Sequence, residues 1–342
     1  MLTKKRIRVL VVDDSLVFRE ILSKGISSDS SIDVVATAND PFEARDKIIE
    51  FEPDVITCDI EMPKMNGIEF ISRLLPQYPL PVVVVSSVSE AVFEALSAGA
   101  VDFVTKPDVR SVNNVAAFLR DLIIKIKIAS LANLQNLNAK HLAKEPEGKA
   151  DSYASNKIIA IGASTGGTEA IYHVLKALPP SIPGIVVVQH IPPIFSKMFA
   201  DRLSNSTQLT VKEARNGDQV EKGQVLIAPG NAHMKIKKAG ERFITEVFQG
   251  DKVNGHCPSV DVLFESVAEQ YGSHAIGIIL TGMGYDGAKG LLSMRKKGAR
   301  TIGQDEKSSV VYGMPKVAYN IGAVEKQAPL NDIPNILYTL LR

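Results

Sequence analysis

The chain has no tryptophan, two cysteines and almost no net charge: among 342 residues, 39 Lys plus Arg against 38 Asp plus Glu leave +1. Each scarcity removes a class of function. Cys58 and Cys257 stand far apart, with no CxxC and no ligand cluster, which argues against a structural zinc site and for two reduced thiols. The balanced charge lacks the broad basic surface of sequence-independent nucleic-acid binders, so no nucleic-acid partner is expected. No apolar run is long enough to span a bilayer. Residues 1–8 are basic, but the apolar stretch behind them stops at Asp13, too soon for a signal peptide. The expectation is a cytoplasmic protein with no direct membrane insertion.

What is present is an ordinary globular profile, 45% hydrophobic and 23% charged, long enough for two domains of ~150 residues each. Apolar, β-rich runs at 7–12, 32–38, 55–58, 81–85 and 101–104 alternate with helical periodicity at 16–25, 41–51, 67–75, 91–98 and 112–128. Five such pairs predict a five-stranded parallel, flavodoxin-like sheet with helices on both faces. The pattern fails between about 129 and 156, where Lys144-Glu145-Pro146-Glu147-Gly148-Lys149 reads as linker. A second block opens with a buried strand at 157–161 and a Gly-rich turn. Further strands are expected at 184–188, 224–228, 275–280 and 300–302, with a β-hairpin of 233–237 and 242–247. This half reads as a Rossmann-like, doubly wound α/β domain with an antiparallel hairpin insertion.

In the first half Asp13 and Asp14 end the first strand, Asp59 ends the third, Ser86 follows the fourth and Lys106 the fifth. A parallel sheet brings these ends to one edge. Three carboxylates there repel unless a cation joins them, and hard oxygen ligands suit Mg²⁺. A lysine and a hydroxyl opposite suit the holding of a phosphoryl group attacked by Asp59, with Asp13 and Asp14 on the metal. The plainer reading, that Asp13 and Asp14 only cap the next helix, fits either residue alone but not the joint spacing of five.

The segments V-L-V-V-D-D-S, D-I-E-M-P-K-M-N-G (59–67) and F-V-T-K-P (103–107) resemble receiver domains of two-component signalling, over about residues 6–128. The resemblance implies phosphotransfer to Asp59 from a chemotaxis histidine kinase. It also implies a Mg²⁺ ligand from the Glu61 carbonyl and a switch in which Ser86 and Phe103 respond to the phosphate. The 86–103 segment is slightly short for a receiver, so a trimmed fourth helix is expected.

In the second half, Ile158-Ile159-Ala160-Ile161 leads into G-A-S-T-G-G (162–167). The match to G-x-S-x-G predicts a strand-to-helix elbow projecting Ser164, with backbone N–H groups at the turn, Thr165 among them, offered to an oxyanion. A dinucleotide-binding turn has the same local form. Against it, Ser164 stands where the second glycine belongs, and the next strand ends in Gln189-His190 rather than an acid. His190, at a neighbouring strand end, is the candidate base. His141, His173, His233 and His274 rank lower, and His256 is held open as a residue lining the site. Asp286, in T-G-M-G-Y-D-G (281–287), is the candidate to orient His190, though it would also serve to cap the next helix. Glycines 282, 284 and 287 would let the Met283 N–H complete an oxyanion hole. The order Ser164…His190…Asp286 differs from the Ser…Asp…His of α/β-hydrolases.

The motifs I-G-A-S-T-G-G-T-E-A-I, Q-H-I-P-P, A-P-G-N-A-H, P-S-V-D-V-L-F, L-T-G-M-G-Y-D-G and Y-G-M-P are similar to those of the protein-glutamate methylesterases of bacterial chemotaxis, from about residue 156 onward. With the receiver this gives domains at 1–128 and 156–342 joined by a linker at 129–155. The resemblance implies Ser164 as nucleophile, His190 as general base and acid, Asp286 as orienting carboxylate and Met283 as oxyanion donor. It implies methyl-accepting chemoreceptors as substrates, their glutamate methyl esters hydrolysed and certain glutamines deamidated. No cofactor is implied for the ester reaction, and Mg²⁺ only for phosphorylation. It also implies that the unphosphorylated receiver restrains the esterase. The N-G-H-C-P segment departs from the enteric pattern, in which basic residues are expected beside His256. Two rival outputs, a nucleotide-dependent oxidoreductase and a DNA-binding module, fit less well: the ribose-binding acid is missing, and the second half is too long for a helix-turn-helix.

Overall fold

The computed structural model describes residues 5–87, 90–107, 112–134 and 157–341. The chain divides into two compact units, Met1–Ala139 and Lys140–Arg342. Most of the expected linker, from 135 on, lies outside the described residues. None of the described helices is long and apolar enough to cross a membrane.

The first unit is built on β1 (Ile7–Val12), β2 (Ile32–Ala38), β3 (Val55–Cys58), β4 (Val82–Ser86) and β5 (Asp102–Thr105). They form a sheet in the order β2-β1-β3-β4-β5, parallel throughout. The helices are α1 (Leu16–Ser27), α2 (Pro41–Phe51), α3 (Gly67–Leu74), α4 (Glu90–Ser97) and α5 (Val112–Ala129). Strands β1, β3 and β4 are mostly apolar because helices cover both faces, and Val82, Val83 and Val84 have no exposed surface. The order reverses between β1 and β3, which opens the crevice where such sheets place their sites. The fourth helix is short, eight residues. Ser15, not an aspartate, caps α1 through the Phe18 N–H, so the capping explanation for Asp13 and Asp14 fails.

The second unit has a seven-stranded sheet in the order β14-β13-β12-β6-β7-β9-β8, again parallel throughout. Its strands are β6 (Ile158–Ala163), β7 (Gly184–Gln189), β8 (Thr210–Glu213), β9 (Gln224–Ile227), β12 (Ala275–Ile279), β13 (Arg300–Gln304) and β14 (Lys326–Ala328). The hairpin of β10 (His233–Ala239) and β11 (Arg242–Phe248) stands apart as a two-stranded antiparallel ribbon. The helices are α6 (Gly167–Lys176), α7 (Pro193–Ser206), α8 (Val260–Tyr271), α9 (Ala288–Lys296), α10 (Met314–Asn320) and α11 (Ile333–Leu341).

One core joins α8 to the hairpin and to the sheet: Val260, Leu263 and Phe264 pack with Met234, Ile236, Ile158 and Ala160, all 1% exposed or less. Each side chain of this size contributes about 2 kcal/mol by leaving water. The start of α8 is thereby fixed against β6, which matters because both carry parts of the site.

Candidate active site and phosphorylation site

In the first unit the strand-end residues meet as expected. Asp13, Asp14 and Asp59 place carboxylate oxygens within 4.8 Å of one another, the spacing of a cation site. Lys106 bridges two of them, its Nζ 2.7 Å from Asp13 Oδ2 and 2.6 Å from Asp59 Oδ2. The Lys106 amide donates to the Ser86 carbonyl at 3.0 Å, which sets the lysine beside the end of β4. Asp59 is 3% exposed and takes the Ile60 N–H at 2.7 Å on Oδ1. Burial pushes its carboxyl above the usual range and Asp13 adds to this, against Lys106. Burial would lower Lys106, but the two aspartates outweigh it and raise its pKa, so it stays a cation. Ser86 and Phe103 are both buried, 1% and 4% exposed, and Lys125 lies over the Phe103 ring. Glu61 is exposed; its carboxylate accepts from Ser87 Oγ at 3.3 Å.

In the second unit three adjacent strands, β12, β6 and β7, deliver the candidate triad. Ser164 follows β6 in a turn whose Gly166 adopts φ 76°, open to glycine and costly for other residues, with a β-carbon there 2.7 Å from Val310. The turn is tied down from both sides. The Ser164 N–H donates to the Thr281 carbonyl at 3.0 Å, and the Ser164 carbonyl accepts from Gly167 N–H at 2.7 Å and Gln189 Nε2 at 2.9 Å. The loop after β12 approaches so closely that a β-carbon on Gly282 would lie 2.6 Å from Ser164 Cβ. Among the described residues Ser164 Oγ has no hydrogen-bond partner, and neither has the Met283 N–H. Thr165 is buried in the same turn, and its carbonyl accepts from Thr281 Oγ1 at 3.0 Å.

His190 follows β7, its amide bonded to the Ala163 carbonyl at 3.1 Å, and its Nε2 lies 2.9 Å from Asp286 Oδ2. That bond makes Nε2 the donor and leaves Nδ1 the lone-pair nitrogen; Nδ1 is buried with no partner among the described residues. Asp286 does not cap α9, which begins after Gly287 with no side-chain cap. It sits instead at the N-terminus of α8. Its Oδ1 accepts from Ser259 Oγ at 2.8 Å and Asn254 Nδ2 at 2.8 Å, and its Oδ2 from Val260 N–H at 2.7 Å. Burial alone would raise the Asp286 carboxyl, but His190, Asn254 and the Val260 amide hold it well below the usual carboxylate range. A helix N-terminus favours the charged form in the same direction.

Three contributors were not among the sequence candidates. Asn254 joins Asp286 to a second buried carboxylate, Asp261, through one amide nitrogen, 2.8 and 2.7 Å away. Ser259 caps α8 while bonding Asp286, and Gln189 props the elbow carbonyl. His256 does line the site: its ring stacks on His190, centroids 3.7 Å apart and planes within 6°. His233 is structural, both ring nitrogens engaged, Nδ1 by the Ser259 N–H at 3.2 Å and Nε2 by the Asp251 carbonyl at 2.9 Å.

A receiver-type acidic crevice followed by a parallel α/β unit with a serine elbow, histidine and buried aspartate defines a response regulator with a hydrolase-like output domain. Residues 9–115 match the response regulator receiver domain model, and residues 159–337 match the CheB methylesterase model. The chain belongs to the CheB methylesterase family. It is 58% identical over 337 residues, 98% of each chain, to protein-glutamate methylesterase/protein-glutamine glutaminase 2 of Syntrophomonas wolfei. The protein of that activity from Escherichia coli K12 is 47% identical over 96% of this chain and 95% of its own. The crystal structure of the Thermotoga maritima CheB methylesterase catalytic domain covers 55% of this chain and all of its own, at 41% identity and TM-score 0.53.

Proposed function

We propose that the chain hydrolyses glutamate methyl esters, and deamidates certain glutamines, on methyl-accepting chemoreceptors, under control of its phosphorylated receiver. The observation that carries the reading is the Ser164, His190 and Asp286 constellation on three neighbouring strands, with the histidine already in one tautomer. Relatives of matching length bear the names of both activities.

The reaction follows from the roles of the groups. Ser164 Oγ attacks the ester carbonyl carbon while His190 Nδ1 takes its proton, and the Met283 and Thr165 N–H groups receive the oxyanion. The hydrogen bond between serine and base would form with substrate present. The tetrahedral adduct collapses, the C–OCH₃ bond breaks, and His190 returns the proton so that methanol leaves. Water then attacks the acyl-enzyme as His190 takes its proton, and Ser164 departs re-protonated, leaving a glutamate carboxylate. A glutamine follows the same path with ammonia as leaving group. Asp286 stays ionised and stabilises the imidazolium. With Nε2 engaged by Asp286, the nitrogen left to act as base is Nδ1, the reverse of the familiar protease arrangement, in which the aspartate holds Nδ1.

In the receiver, Asp59 would take a phosphoryl group from a chemotaxis histidine kinase. The residues present fit Mg²⁺: Asp13, Asp14 and Asp59 converge as hard oxygen donors, with the Glu61 carbonyl as a further ligand. When bound, the ion supplies charge neutralisation for phosphoryl transfer. Lys106 and Ser86 would hold the phosphoryl oxygens, and Phe103 would repack, biasing a two-state restraint on the esterase. The restraint acts across a linker at 129–155 between domains 1–128 and 156–342. The setting is the cytoplasm, where receptor tails and kinase meet.

The test is methanol release from methylated chemoreceptor, with and without a small-molecule phosphodonor plus Mg²⁺. Ser164→Ala should abolish release, and Asp59→Asn should remove only the response to the phosphodonor. Full release from Ser164→Ala would end the esterase scheme.

A further inference from the structure

A base held by one hydrogen bond is not fully aimed. The bond from His190 Nε2 to Asp286 fixes the distance at 2.9 Å, yet it leaves the ring free to turn about that axis and change where Nδ1 points. His190 and His256 lie face to face at 3.7 Å and 6°, and this contact removes the remaining freedom.

The loop that carries His256 is built to hold it there. His233 pins both ends, bonding the Asp251 carbonyl and the Ser259 N–H. Val253 and His256 exchange backbone hydrogen bonds of 3.0 and 2.9 Å, closing a tight turn around Asn254 at φ 53° and Gly255 at φ 85°. Asn254 ties the turn to Asp286 and Asp261. The loop therefore grips the aspartate with one side chain and the histidine with another.

We propose that His256 is a positioning residue for the hydrolysis: in its neutral form its ring fixes the plane of His190 so that Nδ1 faces Ser164. The inference rests on the triad reading above. Neutral His256 offers a π-face to the imidazolium that forms on His190, an attractive arrangement. A charged His256 would repel it. The site keeps His256 neutral: burial pushes it down to about 4, and His190 and Lys252 act in the same direction against Asp286. His190 acts from the end of β7, Lys252 from its own loop and Asp286 from the loop after β12.

The experiment uses the full chain with His256→Ala, His256→Phe and, as control, Ser164→Ala. It measures kcat and KM for methanol release from methylated receptor between pH 5 and 9, and the His190 tautomer by ¹⁵N NMR. Loss of the stacking ring should lower kcat about ten- to a hundredfold, the size of effect misaligned groups produce, with KM within about twofold. His256→Phe, flat but unable to titrate, should recover most of that loss, and the His190 Nε2–H signal should persist in it while broadening or shifting in His256→Ala. Wild-type kcat in His256→Ala overturns the proposal. So does a folded His256→Phe protein as slow as His256→Ala with its His190 tautomer intact. If His256→Ala does not fold, a folded His256→Phe protein with kcat about ten- to a hundredfold below wild type and its His190 tautomer intact overturns the proposal, and near wild-type kcat supports it. Should Ser164→Ala keep its activity, the triad reading fails, while the tautomer comparison still tells whether His256 fixes the ring.

Discussion

The Val260 N–H donates at 2.7 Å to Asp286 Oδ2, the same oxygen that lies 2.9 Å from His190 Nε2. The carboxylate proposed to orient the base is thus also the anion at the start of α8, so its charge would be needed twice. Asp286→Asn turns one oxygen into a donor facing donors. We expect kcat for methanol release to fall by about 10³- to 10⁴-fold, since an amide favours the wrong tautomer. Urea unfolding should register a loss of about 3 kcal/mol, from a buried network broken at one partner. A kcat within tenfold of wild type would show that Asp286 does not orient His190.

Gly282→Ala should act through Ser164 without touching substrate. Its β-carbon would fall 2.6 Å from Ser164 Cβ and 2.5 Å from Met314 Sδ, so the elbow or the Met283 loop must move. Displacements of this order cost about 10²-fold in rate. Stopped-flow methanol release alongside circular dichroism checks it: the rate should fall while the far-UV spectrum holds.

The acidic crevice predicts a metal effect on stability. Mg²⁺ at about a hundred times its Kd should stabilise the receiver by ~2.7 kcal/mol through mass action. Asp13→Asn should abolish that gain in thermal unfolding. Lys106→Met, which leaves Asp13 and Asp59 without their ammonium, should lower the metal-free melting temperature and enlarge the gain from Mg²⁺. An unchanged melting temperature at saturating Mg²⁺ would rule the site out.

His256 predicts a stability slope with a definite sign. A free histidine titrates near 6.5, whereas burial, His190 and Lys252 bring the folded value to about 4. Between these limits the unfolded chain binds more protons, so stability rises with pH. The contribution is complete above about pH 6.5 and is lost as pH falls towards 4. Urea midpoints across this window should decline with acid in the wild type and decline less in His256→Phe.

Much of the fold is legible in the sequence because buried parallel strands write themselves as mostly apolar runs. β1 and β3 end where their runs end, and the turn at Gly240 marks the hairpin. The edge strands β8, Thr-Val-Lys-Glu, and β14, Lys-Gln-Ala, are not marked, since strands at sheet edges are short and polar. In the site, Ser164, His190 and Asp286 are each announced by a strand end. Asn254 is not: in N-G-H it reads as a turn residue, and its bond to Asp286 spans 32 positions. The capping expectation for Asp286 failed for the same reason. Sequence places it before α9, but the helix whose first amide it accepts from is α8, reached only through the tertiary fold.

The arrangement of the seven-stranded sheet bears on when the site comes into being. Strand β6 is flanked by β7 and by β12, so serine and histidine are joined early along the chain, but their aspartate arrives more than ninety residues later. A chain emerging from the ribosome carries Ser164 and His190 long before it has Asp286. Pairings of such sequence separation form late and slowly. On the proposed triad, hydrolytic competence is therefore a property of the finished domain, and a partly synthesised or truncated chain would hold the serine without the means to use it.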